Sequence, residues 1–214
     1  MRKVLIGLMM QFVAVWSAYA AEPVRIVALG DSLVHGYGLP SGDGFVPQMQ
    51  AWLDSQGIAT SLTNAGVSGD TTAGGAARVA WTLGDGFDAM IVVLGGNDTL
   101  RGLDPAQTRS NLDAILTEAN NRQVNVLFVG MQAPGNFGAE YKSQFDALYP
   151  ELAQKHNVLF FPYFFAGIAD RADDPAKLRV VMQGDGIHPN ADGVAAIVAA
   201  MGPSVAELAT RSVH

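Results

Sequence analysis

Short apolar runs alternate with longer amphipathic segments along this chain, and this alternation constrains the fold more than any other feature. The apolar runs predict strands at residues 24–29, 58–63, 89–94, 124–130 and 158–161. The longer segments predict helices at residues 45–56, 71–81, 105–122, 140–156 and 191–210. Strands that alternate with helices build a parallel sheet with helices on its faces, so the chain is predicted to be an α/β protein.

Local capping residues mark the ends of some predicted helices. Asp104 is an N-cap acceptor, Pro105 occupies the first helical position, and Gln107 completes a capping box. Asn190 caps the last helix in the same way. Further along that helix, Pro203 predicts a kink or a break.

No internal repeat or linker-like stretch divides the chain, so residues 21–214 are predicted to form one domain. A chain of this length can bury a large core. Residues 162–184 are the least periodic and are predicted to form a long surface connection. Within it, residues 173–175 (Asp-Asp-Pro) predict a turn into a short helix.

Residues 1–20 have the pattern of a cleavable secretory signal peptide. Arg2 and Lys3 precede an apolar stretch, and the small residues Ala18 and Ala20 frame a cleavage site. An uncleaved membrane anchor is disfavoured, because a spanning helix needs ~20 mostly apolar residues and the acidic Glu22 follows directly. The mature protein is predicted to be periplasmic or extracellular, with no stable membrane anchor.

The composition excludes several classes of function. The chain has no cysteine, which removes disulfides, thiolate nucleophiles and a lipid anchor attached through cysteine. Loss of Arg2 and Lys3 takes the formal net charge from −7 to −9, and no run of basic residues is present. The sequence therefore does not predict binding to nucleic acid, because contacts to phosphates need clustered basic residues. A monomer acting on a small-molecule or lipid substrate is predicted.

Four separate segments follow predicted strands or lie in loops on the same side of the predicted sheet. They are residues 30–33 (Gly-Asp-Ser-Leu), 64–70 (Asn-Ala-Gly-Val-Ser-Gly-Asp), 95–98 (Gly-Gly-Asn-Asp) and 185–188 (Asp-Gly-Ile-His). The carboxyl ends of parallel strands share one edge, so segments that are distant in sequence meet there in space. These segments therefore predict one composite site.

The residue types in these segments match the requirements of acyl transfer. Ser32 is the candidate nucleophile, and His188 is the candidate base, because an imidazole exchanges protons near neutral pH. Asp185, three residues earlier, can accept a hydrogen bond from the other ring nitrogen. The backbone N–H groups of Ser32 and Gly69 and the side-chain amide of Asn97 are candidate donors to the oxyanion.

The order Ser32, Gly69, Asn97 and His188 resembles the SGNH hydrolases, also called the GDSL esterase/lipase family. The resemblance covers essentially the mature chain and is strongest to bacterial arylesterases and to thioesterase/lysophospholipase enzymes. It implies a three-layer α/β/α sandwich, flavodoxin-like, with strand order 2-1-3-4-5. It also implies a Ser-His-Asp mechanism without metal or cofactor.

Two departures from the family pattern affect the expected shape of the acyl pocket. Residues 34–35 (Val-His) replace the small polar residue and the alanine that commonly follow the serine. Thr99 stands where this branch often has glycine. Neither position supplies a catalytic atom.

Other polar residues near these segments are given structural interpretations. Ser68 is interpreted as a loop residue that supports Gly69. Asp98 is expected to bond local backbone groups, and Asp31 to act at most behind the catalytic residues. His35 is interpreted as a rim or packing residue, and His156 as a residue whose charge complements a helix dipole.

The Gly/Pro-rich segment that follows the fourth predicted strand supplies candidate substrate-binding residues. Met131 and Phe137 are predicted to line the substrate cleft, and the alternative is a hydrophobic loop plug.

Competing classes of enzyme fit the sequence less well. An α/β-hydrolase needs Gly-x-Ser-x-Gly, but Val34 occupies the last position of that motif. A metallophosphoesterase lacks support because only His188 lies in a ligand-like setting, and no dinucleotide motif follows the first strand. A carbohydrate O-deacetylase and a non-catalytic exported binding domain stay open as alternatives. The expected activity is hydrolysis of esters, or thioesters, of small to medium acyl groups.

Overall fold

The computed structural model describes residues 22–213, and the predicted signal peptide lies outside them. A single parallel sheet has the strand order β2-β1-β3-β4-β5, which confirms the predicted topology. The strands are β1 (Val24–Gly30), β2 (Thr60–Gly66), β3 (Ala89–Val93), β4 (Asn125–Val129) and β5 (Leu159–Phe161).

Helices cover both faces of the sheet, as the three-layer prediction requires. They are α1 (Ser32–His35), α2 (Phe45–Ser55), α3 (Thr72–Thr82), α4 (Gly96–Leu100), α5 (Pro105–Asn121), α6 (Ala139–His156), α7 (Pro175–Val181) and α8 (Ala191–Arg211). Short 3₁₀ helices occupy Leu83–Asp85, Gly135–Phe137 and Phe164–Arg171. Helices α3, α5 and α6 pack side by side in one layer, and α2, α8 and the last 3₁₀ helix pack together in the other.

The degree of burial of each strand explains how clearly its apolar pattern appears in the sequence. Every residue of β3 is buried, because β3 lies in the middle of the sheet between two helical layers. The edge strand β2 is mostly exposed or half-buried, and its last residues, 64–66 (Asn-Ala-Gly), are not strand formers. Pairing with β1 nevertheless extends β2 to Gly66, three residues beyond the predicted end.

The predicted N-caps agree with the structure, but among the described residues Gln107 makes no side-chain bond that would complete the capping box, and the last helix does not break at Pro203. Asp104 accepts a hydrogen bond from the N–H of Ala106, and Asn190 accepts one from that of Gly193. Helix α8 continues through Pro203 to Arg211. The preceding turn is held against α2, where a Cβ on Gly202 would lie 2.6 Å from the ring of Trp52.

Helix α8 is long and apolar enough to cross a membrane by length and composition alone. In this fold it packs across β3, β4 and β5 and against α2. Its buried residues include Ile197, Val198, Met201 and Val205. It is therefore a core helix, and its apolar character reflects burial against the sheet.

Residues 162–184 are more ordered and more buried than the predicted surface connection. The predicted turn does lead into α7, which is capped by Asp174. However, Phe164 and Ile168 in the preceding 3₁₀ helix and Val181 in α7 are buried. Gly167 permits the close approach to α8, because a Cβ there would lie 2.1 Å from the carbonyl oxygen of Ala196.

Gly167→Ala tests this close approach. The added methyl group must push the 3₁₀ helix away from α8, so we expect the free energy of unfolding to fall by about 1–3 kcal/mol in urea denaturation. Gly84→Ala is the matched control, because a Cβ there meets nothing within 4 Å. A Gly167→Ala variant as stable as the control would show that this contact is unimportant.

Candidate active site

Ser32 lies in the first turn of α1, directly after the end of β1. The side chain of Asp31 caps this helix by accepting a hydrogen bond of 3.0 Å from the N–H of Leu33. Gly30 is needed for the turn, since a Cβ there would lie 2.3 Å from a methyl carbon of Val34. The cap and the glycine together fix the direction in which the serine leaves the sheet.

Ser32, His188 and Asp185 form a hydrogen-bonded chain. Nε2 of His188 lies 2.8 Å from Oγ of Ser32, and Nδ1 lies 2.6 Å from Oδ2 of Asp185. An ionised carboxylate only accepts hydrogen bonds, so Asp185 places the ring proton on Nδ1. Nε2 then presents its lone pair to the serine hydroxyl, which is the geometry a general base requires.

The loop that carries Asp185 and His188 is fixed by its own backbone. Oδ1 of Asp185 accepts hydrogen bonds from the N–H groups of Ile187 and His188 at 2.9 and 3.0 Å. These bonds and the bond from the His188 ring lower the pKa of Asp185 from 3.8 to about 2, the ring bond being the largest cause. Asp185 is therefore ionised at any pH near neutrality.

The three candidate oxyanion donors lie at the same edge of the sheet. Gly69 has φ +82°, a left-handed conformation that glycine adopts readily. Gly95, with φ +111°, turns the chain from β3 into α4, which carries Asn97. Within residues 22–213, no protein acceptor takes the backbone N–H of Ser32 or that of Gly69. Both N–H groups are available to a substrate.

The side-chain amide of Asn97 is held by two acceptors. Nδ2 donates to the main-chain carbonyl of Asp70 at 3.0 Å and to Oδ2 of Asp31 at 3.3 Å. These contacts fix the orientation of the amide, and a developing oxyanion would compete with these two acceptors for one of its hydrogens. The predicted nucleophile, base, orienting acid and oxyanion donors thus meet in one place.

Comparisons with known proteins agree with this geometry. Residues 28–196 match the model of the GDSL-like lipase/acylhydrolase family. The chain belongs to this family. The prediction of an SGNH ester hydrolase is therefore confirmed.

The alignments with similar proteins span most of this hydrolase. The chain is 35% identical over 190 residues to esterase TesA of Pseudomonas aeruginosa, and the alignment covers 88% of this chain and 90% of TesA. It is 34% identical over 182 residues to thioesterase 1/protease 1/lysophospholipase L1 of Escherichia coli strain K12, covering 85% and 83% of the two chains. The crystal structure of AlinE4, an SGNH-hydrolase family esterase, is 44% identical with a TM-score of 0.71, covering 87% of this chain and 97% of AlinE4.

A cavity of about 880 Å³ opens beside Ser32 and His188 in this hydrolase. Most of its lining is apolar and comes from α1, α4, the loop after β4, the last 3₁₀ helix, α7, the residues next to these helices and the loop that carries His188. The apolar lining residues are Leu33, Tyr37, Leu100, Met131, Ala133, Pro134, Phe165, Ile168, Ala169, Ala172, Leu178, Met182 and Ile187. Met131, a predicted substrate-binding residue, is one of these lining residues. Phe137 does not line this cavity, because its ring packs against Tyr141.

The structural interpretations of the other polar residues hold in part. Asp98 is structural, but its carboxylate bonds the distant Thr72 and Thr108 and so ties α4 to α3 and α5. His35 is exposed beside the carbonyl of Gly66. His156 makes a side-chain contact with Asp113 in α5 that the dipole interpretation did not include.

Two residues near the base were missed. The ring of Tyr37 packs on that of His188, with centroids 4.8 Å apart. The amide of Gln183 donates to the carbonyl oxygens of Tyr37 and Pro189, and so joins the end of α1 to the histidine loop. Neither residue belongs to a motif, and only the long-range packing reveals them. Among residues 22–213, no cluster of three or more His, Cys, Asp or Glu side chains has the arrangement of a metal site.

Asp31 is a buried carboxyl group in the middle of this site. It is 2% exposed, and burial raises its pKa from 3.8 to about 6, although the hydrogen bonds from Leu33 and Asn97 and the charge of His188 oppose the rise. A raised pKa means that the folded protein holds the proton more tightly than the unfolded chain. The contribution of Asp31 to stability is therefore largest below pH 4, declines as the pH rises from about 4 through about 6, and is lost above that.

Asp31→Asn tests this titration. We expect the free energy of unfolding of the wild type, relative to the variant, to fall by up to about 3 kcal/mol between about pH 4 and about pH 7. Urea denaturation at a series of pH values measures the difference. Thr71→Ala is the control: Thr71 caps α3 through its side-chain hydroxyl, which does not titrate in this range, so its difference should not vary with pH. Equal pH profiles for the two variants would contradict the interpretation.

Proposed function

We propose that this hydrolase cleaves esters and thioesters of small to medium acyl groups through an acyl-enzyme formed on Ser32. The observation that carries the proposal is an unbroken chain of hydrogen bonds. Oγ of Ser32 lies 2.8 Å from Nε2 of His188, and Nδ1 of His188 lies 2.6 Å from Oδ2 of Asp185. The first distance lies within the range that proton transfer from a nucleophile to its base requires, and the second is a hydrogen bond that orients the base.

In the first half-reaction, Nε2 of His188 takes the hydroxyl proton as Oγ of Ser32 attacks the carbonyl carbon. The carbonyl oxygen becomes an oxyanion and accepts hydrogen bonds from the backbone of Ser32 and Gly69 and from the amide of Asn97. As the intermediate collapses, the carbon–oxygen or carbon–sulfur bond to the leaving group breaks. His188 returns its proton to the departing alcohol or thiol.

In the second half-reaction, the same groups act on water. His188 removes a proton from the water as its oxygen attacks the acyl carbon bound to Ser32. Collapse of the second tetrahedral intermediate breaks the bond to Oγ, and His188 returns the proton to the serine. Asp185, with its pKa of about 2, stays ionised and stabilises the imidazolium that forms in each half.

The cavity supports an apolar acyl group as substrate. Its volume of about 880 Å³ and its predominantly apolar walls suit a hydrocarbon chain better than a sugar, whose hydroxyls would lose hydrogen bonds to water there. The cavity therefore favours an acyl ester over an acetylated carbohydrate. Met131 is assigned to the acyl wall. The names of the similar proteins, an esterase and a thioesterase/lysophospholipase, support the same substrate class.

Residues 1–20 support export of this enzyme, with cleavage after Ala20. The mature enzyme would act as a monomer in the periplasm or outside the cell. Lipids and external esters are more accessible substrates there than intracellular acyl thioesters.

Ser32→Ala is the direct test of the mechanism. We expect hydrolysis of p-nitrophenyl esters to fall to the level of the residual oxyanion-hole contribution, a loss of roughly 10³-fold or more in kcat. Ser110→Ala, at an exposed position on α5, is the matched control and should keep the wild-type rate. Wild-type activity in Ser32→Ala would overturn the assignment of the nucleophile.

Ala169→Phe tests the acyl site. Ala169 is exposed to the cavity, so a phenyl group there fills space without displacing the core. We expect kcat/KM for acyl chains of eight or more carbons to fall about tenfold or more relative to acetate, measured over a series from two to sixteen carbons. Ala166→Phe, in the same 3₁₀ helix but outside the cavity lining, should leave the series unchanged. Parallel profiles in both variants would place the acyl chain elsewhere.

A further inference from the structure

Arg78, on α3, makes three hydrogen bonds to three separate points at the active-site edge of the sheet. Nε donates to Oδ2 of Asp70 at 2.8 Å, Nη1 to the carbonyl of Ala65 at 2.8 Å, and Nη2 to the carbonyl of Gly30 at 2.9 Å. Its side chain is only 21% exposed and that of Asp70 only 15%. This planar fork is a geometry that only arginine supplies.

The two carbonyls that Arg78 binds belong to the ends of neighbouring strands. Gly30 is the last residue of β1, and Ser32 follows two residues later. Ala65 is the penultimate residue of β2, and Gly69 follows four residues later. The guanidinium group therefore fixes the distance between the chain that carries the nucleophile and the chain that carries an oxyanion donor.

The hydrogen bond from Arg78 to Asp70 also helps to position Asn97, the third candidate donor to the oxyanion. Asp70 directly follows Gly69, so holding its side chain holds the peptide that carries the Gly69 loop. The main-chain carbonyl of Asp70 accepts the amide of Asn97 at 3.0 Å. Gly74 allows the carboxylate to sit against α3, since a Cβ there would lie 1.9 Å from Oδ1 of Asp70. Arg78 thus acts on both Gly69 and Asn97 through one residue.

The Gly69 loop needs such an external anchor. Its central glycine has φ +82°, and glycine loses more conformational freedom on ordering than any other residue. The loop connects β2 to α3, and the backbone N–H of Gly69 must point accurately at the oxyanion. A misplacement of about 1 Å in a catalytic group can cost roughly 10²-fold in rate.

We propose that Arg78 is a positioning residue that holds the oxyanion hole of this hydrolase in its productive geometry, by joining the ends of β1 and β2 to Asp70. The inference rests on the proposed function, because it assumes that Gly69 and Asn97 bind the oxyanion. Arg78 touches no reacting atom. Its effect reaches the substrate through Asp70, Gly69 and Asn97.

The test is a double-mutant cycle between Arg78→Lys and Asn97→Ala. Lysine keeps the charge but cannot bond three acceptors in fixed directions. We expect Arg78→Lys alone to lower kcat about 10- to 100-fold with KM changed less than about threefold. In the Asn97→Ala background, the same substitution should lower kcat by a factor at least about threefold smaller, because one of the two donors that Arg78 positions is already lost and only Gly69 still responds.

The matched control is Arg109→Lys. Arg109 pairs with Glu151 and so also joins two elements, α5 and α6, away from the cavity. It should leave kcat and KM close to wild type. Circular dichroism and urea denaturation establish that each variant is folded, and Arg78→Met serves as a second variant if the lysine variant unfolds.

The outcomes separate this inference from the function that it rests on. Equal losses of kcat for Arg78→Lys in the two backgrounds would overturn the positioning role, as would an effect confined to KM. If Ser32→Ala is inactive and the cycle is additive, only the role of Arg78 fails. If Ser32→Ala retains activity, the proposed mechanism fails first.

Discussion

The parallel register of β1 with its two neighbours is the constraint on which the rest of this structure depends. Gly30 pairs with Gly66 on one side and with Val93 on the other, so the chain leaves the sheet at three adjacent points. These three points lead to Ser32 in α1, to the loop that carries Gly69, and to α4, which carries Asn97. The strands stay in register because β1 and β3 are almost wholly buried, and a slip would expose apolar residues or bury polar ones.

Polar groups at this edge are placed by long-range bonds more than by their own loops. Asp31, Asp98 and Arg78 each connect elements that are distant in sequence, and each has most of its side chain removed from water. A buried polar group is costly unless it is bonded, so these networks specify one arrangement of the loops. The proposed catalytic pair, Asp185 and His188, differs, since the bonds that join the two residues lie within one four-residue segment.

The sequence predicted the elements whose signals are local. Periodicity indicated five strands, the resemblance to the SGNH hydrolases supplied their order in the sheet, and the caps Asp104 and Asn190 indicated where two helices begin. It failed where tertiary contacts overrule local preference. Strand β2 runs to Gly66 because β1 supplies its hydrogen bonds, and α8 continues through Pro203 because packing against Trp52 holds it. Residues 162–184 were predicted to be a surface connection because their buried apolar side chains have no regular spacing.

The sequence by itself determined the candidate residues of the site. Residue type and order identify Ser32, Gly69, Asn97, Asp185 and His188, together with their positions after strands or in loops on the same side of the sheet. Only the tertiary structure decided how these groups are held and what they face. The fork of Arg78, the ring of Tyr37 on His188 and the apolar cavity all arise from contacts between distant segments. No local pattern encodes such contacts. They exist only once the sheet brings its strand ends together.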